Sequence, residues 1–432
     1  MPHVGTTEPP LGDPTATPTQ PGPAATESAA LTETLIIAPV DDSAIRPFSY
    51  RASDDALADL RQRIIATKWP GRELVGDASQ GVQLATMQKL ANHWVTSHDW
   101  RKVEARLGAL PQFVTSIDGV DIHFIHVRSR HPDALAVIIT HGWPGSILEQ
   151  LKLIGPLTDP TAHGGSASDA FDVVIPSMPG YGFSAAPTAV GWGPERIAQA
   201  WAELMNRLGY DRYVAQGGDW GALITDLIGV QSPPGLLGIH TNMAGAVPPE
   251  IDAAALAGAS PPSGLSPEEM EAYEQLAFFY KDDLAYAQEM GTRPQTLYGI
   301  EDSPIGLAAW ILDHDIRSYK LIARVFDGQD EGLSRDDVLD NITLYWLTNT
   351  GVSSSRLYWE NKLAFFAPKG VSVPVAVSVF PDEICPVPRN WAERAYPKLI
   401  FYNRHPKGGH FAAWEQPKAI VDDLRTCFRP LR

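Results

Sequence analysis

The hexapeptide Gly217-Gly218-Asp219-Trp220-Gly221-Ala222 sets an acid between an apolar run at 213–216 and a helix-like stretch at 222–230. A strand that turns straight into a helix strains the backbone at one residue and leaves room only for small neighbours. Gly217, Gly221 and Ala222 meet that need. The residue at the apex projects its side chain from the strand end, so the hexapeptide reads as a nucleophile elbow carrying aspartate. A Gly-rich turn with Asp219 as a helix N-cap fits the same six residues, and the decision falls to other segments.

Three segments bear on it. His141-Gly142-Trp143-Pro144-Gly145-Ser146 directly follows the strand-like Leu135–Thr140, where the oxyanion-hole loop of an α/β-hydrolase fold belongs. Backbone N–H groups of Trp143 and Trp220 would converge there on one oxygen, where charge develops in a transition state. His141 itself reads as a structural histidine ordering the loop. Lys407-Gly408-Gly409-His410-Phe411 follows the last strand-like run, the place of the general base. Among twelve histidines, His410 combines the right order after Asp219 with a Gly-Gly approach that lets its ring reach inward. Phe380-Pro381-Asp382-Glu383-Ile384-Cys385 offers two acids, one of which would orient the histidine, although loop acids are also ordinary solvated groups.

Aspartate at an elbow specifies a reaction type. A carboxylate displaces a leaving group at saturated carbon and becomes an alkyl ester. The ester carbonyl is open to a His-activated water, whereas a serine would form an ether that such water does not cleave. Candidate substrates reduce to epoxides and alkyl halides, and an epoxide also needs an acid to meet its basic alkoxide.

The elements that must position these groups are those of a large globular enzyme: 432 residues, 44% hydrophobic. The net charge of -17 repels phosphate backbones and anionic lipid, which argues against nucleic-acid and membrane-surface partners. No run approaches the ~20 apolar residues of a spanning helix, and Leu35-Ile36-Ile37-Ala38 is stopped by Pro39. The first Lys or Arg is Arg46, so no secretory or transit leader is expected. Two cysteines, Cys385 and Cys427, suit buried thiols in a reducing compartment, and a cytoplasmic protein is expected. No cofactor or metal is expected: His123 and His126 sit an odd number apart on a strand and face opposite sides, and no His-Glu-x-x-His occurs. A homo-oligomer is compatible with the sequence.

Along the chain, residues 1–45 form a Pro/Thr/Ala-rich tail too poor in large apolar residues to order. Residues 46–112 carry helical patterns. The first has Ser53 as N-cap and Leu57, Leu60, Ile64 and Ile65 on one face; a second carries Leu84, Met87, Leu90, Ala91, Trp94 and Val95; Val103 and Leu107 mark a third. Residues 113–247 open with a hairpin, 113–117 and Val120–Val127 around Asp118-Gly119, and continue as strands at Leu135–Thr140, 171–175 and 213–216 alternating with helices at 196–208 and 222–230. This alternation predicts an α/β fold with a mostly parallel sheet covered by helices on both faces. Residues 248–368 lack strand signals and read as an inserted helical cap, before strands return in 369–432 at 373–380 and 399–402.

Together, the Asp219 elbow, the His141-Gly142-Trp143-Pro144 loop, Gly408-Gly409-His410-Phe411 and the helical segment before them resemble the microsomal-type epoxide hydrolase family, from about residue 46 to the C-terminus. The resemblance implies Asp219 as nucleophile, His410 as base and Glu383 as charge-relay acid, because Glu383 and not Asp382 has the family's spacing to the histidine. It implies two cap tyrosines as proton donors. Tyr286 lies in Ala285-Tyr286 ahead of Thr292-Arg293-Pro294-Gln295-Thr296; Tyr358 lies in Ser354-Ser355-Arg356-Leu357-Tyr358-Trp359-Glu360-Asn361. Phenols titrate near ~10 and stay protonated at neutral pH. Aromatics are common here, with Tyr280, Tyr298, Tyr319 and Tyr345 nearby, so packing is the plain alternative for either tyrosine. The family's hydrophobic N-terminal anchor has no counterpart, and residues 46–112 are expected to wrap the core.

The leading expectation is an epoxide hydrolase acting on a small apolar epoxide and water. A haloalkane or haloacid dehalogenase with the same Asp, His and Glu is the alternative enzyme, and it would want indole N–H donors in place of paired phenols. A catalytically silent binder of apolar ligands would need neither His410 nor Glu383.

Overall fold

The computed structural model describes residues 43–432; the tail expected over 1–45 lies outside the described residues as far as residue 42. Nine strands form one sheet: β1 (Arg46–Pro47), β2 (Gln112–Ile117), β3 (Val120–Val127), β4 (Leu135–Thr140), β5 (Phe171–Pro176), β6 (Tyr213–Gly217), β7 (Leu236–Thr241), β8 (Val375–Val379) and β9 (Leu399–Arg404). Their order is β1-β2-β3-β5-β4-β6-β7-β8-β9. The first four strands in that order pair antiparallel, and from β5 onward every pairing is parallel. β4 is central, with β5 to one side and β6 to the other. This is the reversal of strand order at whose carboxyl ends open α/β sheets bind ligands.

Side-chain alternation covers both faces. In β4, Ala136 and Ile138 join one core with Ile197, Trp201 and Leu204 of the helix Pro194–Arg207 and Ile224 and Ile228 of the helix Trp220–Gln231. Leu135, Val137 and Ile139 point the other way, to Leu153 and Leu157 of Leu151–Thr158 and Ile420 and Leu424 of Pro417–Phe428. The β2–β3 hairpin turns on Asp118 (φ 49°) and Gly119 (φ 79°), the left-handed pair that an Asp-Gly turn demands.

Two strands escaped the sequence reading. β1 is only two residues long. β7 follows Pro233-Pro234-Gly235, and its Gly238 and His240 break the apolar run that marks buried strands. Gly238 is required there, since a Cβ would stand 2.9 Å from Leu431 Cδ1 and 3.0 Å from the Pro374 carbonyl. In the first helix, Asp54–Ile65, the Ser53 side chain accepts from Ala56 N–H as an N-cap should, and Leu60 and Ile64 are buried. Ile65 is 66% exposed and does not share that face, because the next residue round a helix turns by about 100°.

Between β7 and β8 lies a run of helices from Pro249–Leu256 to Gly351–Glu360. Many of its apolar residues, such as Leu276, Leu307, Ile311 and Leu339, belong to the same core as Ile138 and Trp201. The preceding helices Leu84–Thr96 and Trp100–Gly108 and the His98 turn between them are tied to this run: Trp94 Nε1–H donates to Thr343 Oγ1 at 3.0 Å, and His98 Nε2 lies 2.8 Å from Asp340 Oδ1. Among the described residues no helix is long and apolar enough to cross a membrane.

Candidate active site

Register builds the site. Thr140 pairs with Gly217 at the ends of β4 and β6, so the two loops that follow begin side by side. Asp219 sits at φ 51°, ψ -128°, a conformation that costs a non-glycine residue of order 1–3 kcal/mol and clusters at functional sites. Its neighbours are as small as the sequence suggested, for a steric reason. A Cβ on Gly217 would lie 2.0 Å from the Gly221 carbonyl oxygen, one on Gly221 would lie 2.0 Å from that of Thr140, and one on Gly142 would lie 2.1 Å from Asp219 Oδ1. The absence of that last methyl lets the carboxylate reach the loop, where Trp143 N–H donates to Oδ1 at 2.7 Å.

His410 reaches Asp219 from the loop after β9. Its Nε2 is 3.5 Å from Asp219 Oδ2, and its Nδ1–H donates to Glu383 Oε1 at 2.7 Å. Glu383 is 1% exposed and Asp382 is exposed, so of the two acids only Glu383 meets the histidine. Ile384 N–H also donates to Glu383 Oε1. Burial alone would raise the Asp219 carboxyl, but the hydrogen bond and charge of His410, with smaller help from His314 and the Trp220 N–H, hold it below its ordinary value. The Asp219 carboxyl is therefore ionised. For His410, burial opposes charge, yet Glu383 and Asp219 together push its imidazole well above 6.5.

The helices between β7 and β8 supply the opposite wall. The Tyr286 ring stacks on Trp143 at 5.0 Å and 14°, and the Tyr358 ring meets Trp220 edge-on at 4.7 Å and 86°. Each tryptophan thus stands beside Asp219 through its backbone and beside a tyrosine through its ring. Burial foremost, with the Asp219 carboxylate, pushes the Tyr286 phenol well above its ordinary value; burial, Tyr286 and Asp219 do the same to Tyr358. Both remain proton donors at neutral pH. Of the other tyrosines named from sequence, Tyr345 donates to the Gly145 carbonyl at 2.8 Å and so pins the loop after β4, Tyr280 bonds Asp252, the Tyr319 hydroxyl accepts from Gln83 N–H, and Tyr298 is exposed. His141 accepts from Met178 N–H at Nε2 and donates through Nδ1 to the Gly142 carbonyl, and burial lowers its pKa to about 4. It orders the loop as a neutral group.

A cavity of about 210 Å³ opens onto the carboxylate, lined mainly by aromatic and aliphatic side chains including Phe279, Leu284, Phe365, Phe366 and Ile384. A turn of π-helix at Phe279–Asp283 precedes Tyr286 and carries Phe279 and Tyr280 to this wall.

Sequence reasoning missed three groups. His314 is 1% exposed, with ring centroids 4.5 Å from His410 and 4.9 Å from Tyr286, and its Nδ1–H donates to Asp315 Oδ2 at 2.9 Å. The only signal was a histidine between two acids, Asp313-His314-Asp315, at a helix start. Glu415 accepts from Gly409 and Phe411 N–H, fixing the His410 loop, and Glu149 is buried under Gly145, where a Cβ would stand 2.1 Å from Glu149 Oε2. Burial raises Glu415 to about 7 and Glu149 to about 8. Neither glutamate has a sequence mark beyond lying near a catalytic loop. Asp219, His314 and His410 each bring a ligand-type atom within 4.8 Å of the others, close enough to share a cation. The other polar atom of each is held by Trp143, Asp315 and Glu383, which fixes the atoms that face one another as one compact polar cluster.

This geometry has close relatives. Residues 45–150 match the family model described as epoxide hydrolase N terminus, and residues 136–286 match that of the alpha/beta hydrolase fold. A Stigmatella aurantiaca protein is 49% identical over 392 residues, 90% of this chain and 86% of its own length. Epoxide hydrolase 1 of Oryctolagus cuniculus is 37% identical over 407 residues, 89% of each chain. Among solved structures, juvenile hormone epoxide hydrolase from Bombyx mori superposes with a TM-score of 0.79 at 29% identity, over 90% of this chain and 96% of that one. The Aspergillus niger epoxide hydrolase gives 0.74 at 30%, over 90% and 97%. With relatives of this identity matched over nearly their whole length, the chain belongs to the epoxide hydrolase family, on an α/β-hydrolase fold.

Proposed function

We propose that this enzyme opens apolar epoxides to vicinal diols through an ester on Asp219, with His410 as base, Glu383 as its orienting acid and Tyr286 and Tyr358 as donors to the epoxide oxygen. The observation that carries the reading is the division of labour around one carboxylate: Oδ1 accepts from Trp143 N–H at 2.7 Å, while Oδ2 faces His410 Nε2 at 3.5 Å. Oδ2 attacks an epoxide carbon, the ring C–O bond breaks, and the oxygen takes a phenolic proton. Oδ1 is left as the ester carbonyl, already held by the Trp143 N–H, with the Trp220 N–H, which also bonds the Asp219 carboxyl, as the second donor of the proposed oxyanion hole.

Alkylation also readies the base. Ester formation removes the Asp219 charge that helps to hold His410 protonated, so its pKa falls towards a value suited to accepting a proton from water. The water attacks the ester carbon, the oxyanion on Oδ1 collapses, and the diol leaves with Oδ2. At interior packing density the cavity takes a substrate of roughly ten non-hydrogen atoms, and its aromatic wall favours aryl or branched alkyl epoxides. Two buried, unpaired thiols support a cytoplasmic setting.

One observation favours a second reaction. Trp220 Nε1–H is buried facing the Tyr358 hydroxyl without making a regular hydrogen bond to it, and a halide leaving group would want such a donor. Epoxides and haloalkanes assayed side by side separate the two readings. In heavy-oxygen water under single-turnover conditions, the label should enter Asp219 and not the first diol formed. Label in the first diol means direct attack by water and overturns the ester.

A further inference from the structure

Ring opening leaves charge in two places: a phenolate where the epoxide oxygen took its proton, and the proton that His410 Nε2 carries in the resting enzyme. His410 becomes a base for the hydrolytic water only when that proton reaches the phenolate. His314 stands between them, its ring centroid 4.5 Å from that of His410 and 4.9 Å from that of Tyr286. One of its ring nitrogens lies within 4.8 Å of a His410 ring nitrogen and of an Asp219 carboxylate oxygen, a gap that one water spans. Nδ1–H is committed to Asp315 Oδ2, and the other oxygen of Asp315 is fixed by the N–H groups of Arg317 and Ser318. Nε2 is buried and has no partner among the described residues. A buried imidazole nitrogen left unpaired is costly and calls for a role.

We propose that His314 is a proton-relay residue that returns the proton from His410 to the Tyr286 phenolate. This rests on the aspartyl-ester reading. The N–H bond at His410 Nε2 breaks, the proton passes through a water to His314 Nε2, and an O–H bond forms at the Tyr286 oxygen, so His314 ends as it began and His410 is left neutral, to regain its proton from the water that attacks the ester. Asp315 stabilises the transient imidazolium. Burial would raise the Asp315 carboxyl, but its hydrogen bond to His314 and the charges of both histidines hold it well below its ordinary value, so it is an anion when needed. The other groups facing the relay are Asp219 and His410 from the strand-end loops and Tyr286 from the preceding helix, with Asp283 and Glu415 acting on Asp315 from farther off.

The test uses His314→Gln, His314→Ala and Asp315→Asn in the full chain, with folding checked by circular dichroism. Ester formation in a single turnover starts from a protonated phenol and should stay within about twofold of wild type, because general acid–base groups act only where their proton moves. Steady-state kcat should fall about 10- to 100-fold in the His314 variants and less in Asp315→Asn. Added imidazole should restore kcat of His314→Ala in proportion to its concentration, which a packing role would not allow. The proposal is overturned if kcat is unchanged, if ester formation slows in step with kcat, or if a folded His314→Ala gains nothing from imidazole. Failure of the ester reading shows separately, as absence of any adduct in His410→Gln with His314 intact.

Discussion

The loops at the strand ends and the helices between β7 and β8 place chemistry by different means. In the loops the backbone does it: Gly142, Gly145, Gly217 and Gly221 each stand where a Cβ would come within about 2 Å of another atom, and the N–H of Trp143 itself holds the carboxylate. In the helices side chains do it, by ring packing of Tyr286 and Tyr358 against the two tryptophans and by the Asp315 carboxylate that aims His314. A backbone site tolerates almost no substitution, whereas a side-chain site can shift its packing and lose only part of its function. The loops should therefore fail in large steps and the helices in small ones.

The largest step is expected at His410, the proposed base. His410→Gln should still be alkylated once and then stall, with turnover down about 10⁴-fold and substrate mass retained on Asp219 by intact-protein mass spectrometry. Glu383→Gln should follow it, with ester hydrolysis slowed about 10³-fold and ester formation nearly untouched, because the acid stabilises the His410 imidazolium. Asp382→Asn, at an exposed position, should be close to wild type. Ester accumulating in Asp382→Asn and not in Glu383→Gln would reverse the assignment.

Next comes the backbone. Gly142→Ala drives a methyl to 2.1 Å from Asp219 Oδ1 and must displace either the carboxylate or the Trp143 N–H, so ester formation should fall about 10²- to 10³-fold. Gly299→Ala in the short helix Tyr298–Asp302 meets nothing within 4 Å and should leave kinetics unchanged. Equal effects of the two substitutions would dissolve the contrast between loops and helices.

The same contrast explains what could be read from sequence. Tight backbone geometry leaves its mark locally, as glycines at fixed offsets, and the elbow, the loop after β4 and the Gly-Gly approach to His410 were legible for that reason. Glu383 was one of two local candidates, and the resemblance to a family chose it. The tyrosines were legible only through the same resemblance, by the motifs around Tyr286 and Tyr358; by pattern alone, half-buried Tyr280 and buried Tyr345 in the same helical run would have served as well. His314 was missed because its partners, apart from Asp315, lie on other elements, and no local rule marks a histidine that folding will carry to a distant carboxylate. β7 was missed because a glycine demanded by its neighbours broke the apolar run by which buried strands are recognised.

Smaller effects are expected in the helices. Tyr286→Phe and Tyr358→Phe each remove one hydroxyl and keep the ring packing on Trp143 and Trp220. Two donors sharing one oxygen should each be worth about 10- to 100-fold in ester formation, with the double variant nearly inactive on epoxides. Haloalkane conversion, if the enzyme has it, should survive both changes, since halide departure needs no proton. Wild-type ester formation in the double variant would make the tyrosines packing residues.

The smallest effect is on stability, and it returns to the loops. Burial raises Glu149 to about 8, and Glu415 and Asp226 to about 7, all beside the strand ends or in the helix that follows the elbow. A carboxyl whose folded pKa lies above its unfolded value is fully stabilising below the unfolded value and loses that contribution as pH rises through the folded one. Buried neutral histidines act oppositely but in another window: His123 at about 3 and His141 and His240 at about 4 destabilise the fold only as pH falls below their unfolded value near 6.5. Between pH 6.5 and 8 the three carboxyls should cost stability about 3 kcal/mol, a fall in Tm of roughly 3 to 6 °C, and His410, whose folded pKa lies well above its unfolded 6.5, adds to the fall in the same direction. Among the helices Asp283 is also raised to about 7, but it is half-exposed and solvent screens it. Glu149→Gln, neutral at all pH values and equal in size, should remove about half of the carboxyls' share of the drop; Asp283→Asn, which keeps an acceptor for Ile316 N–H, should remove little. Thermal melts at pH 6.5, 7.25 and 8 decide it, and a larger flattening by Asp283→Asn than by Glu149→Gln would place the ionisable strain in the helices and not beneath the catalytic loops.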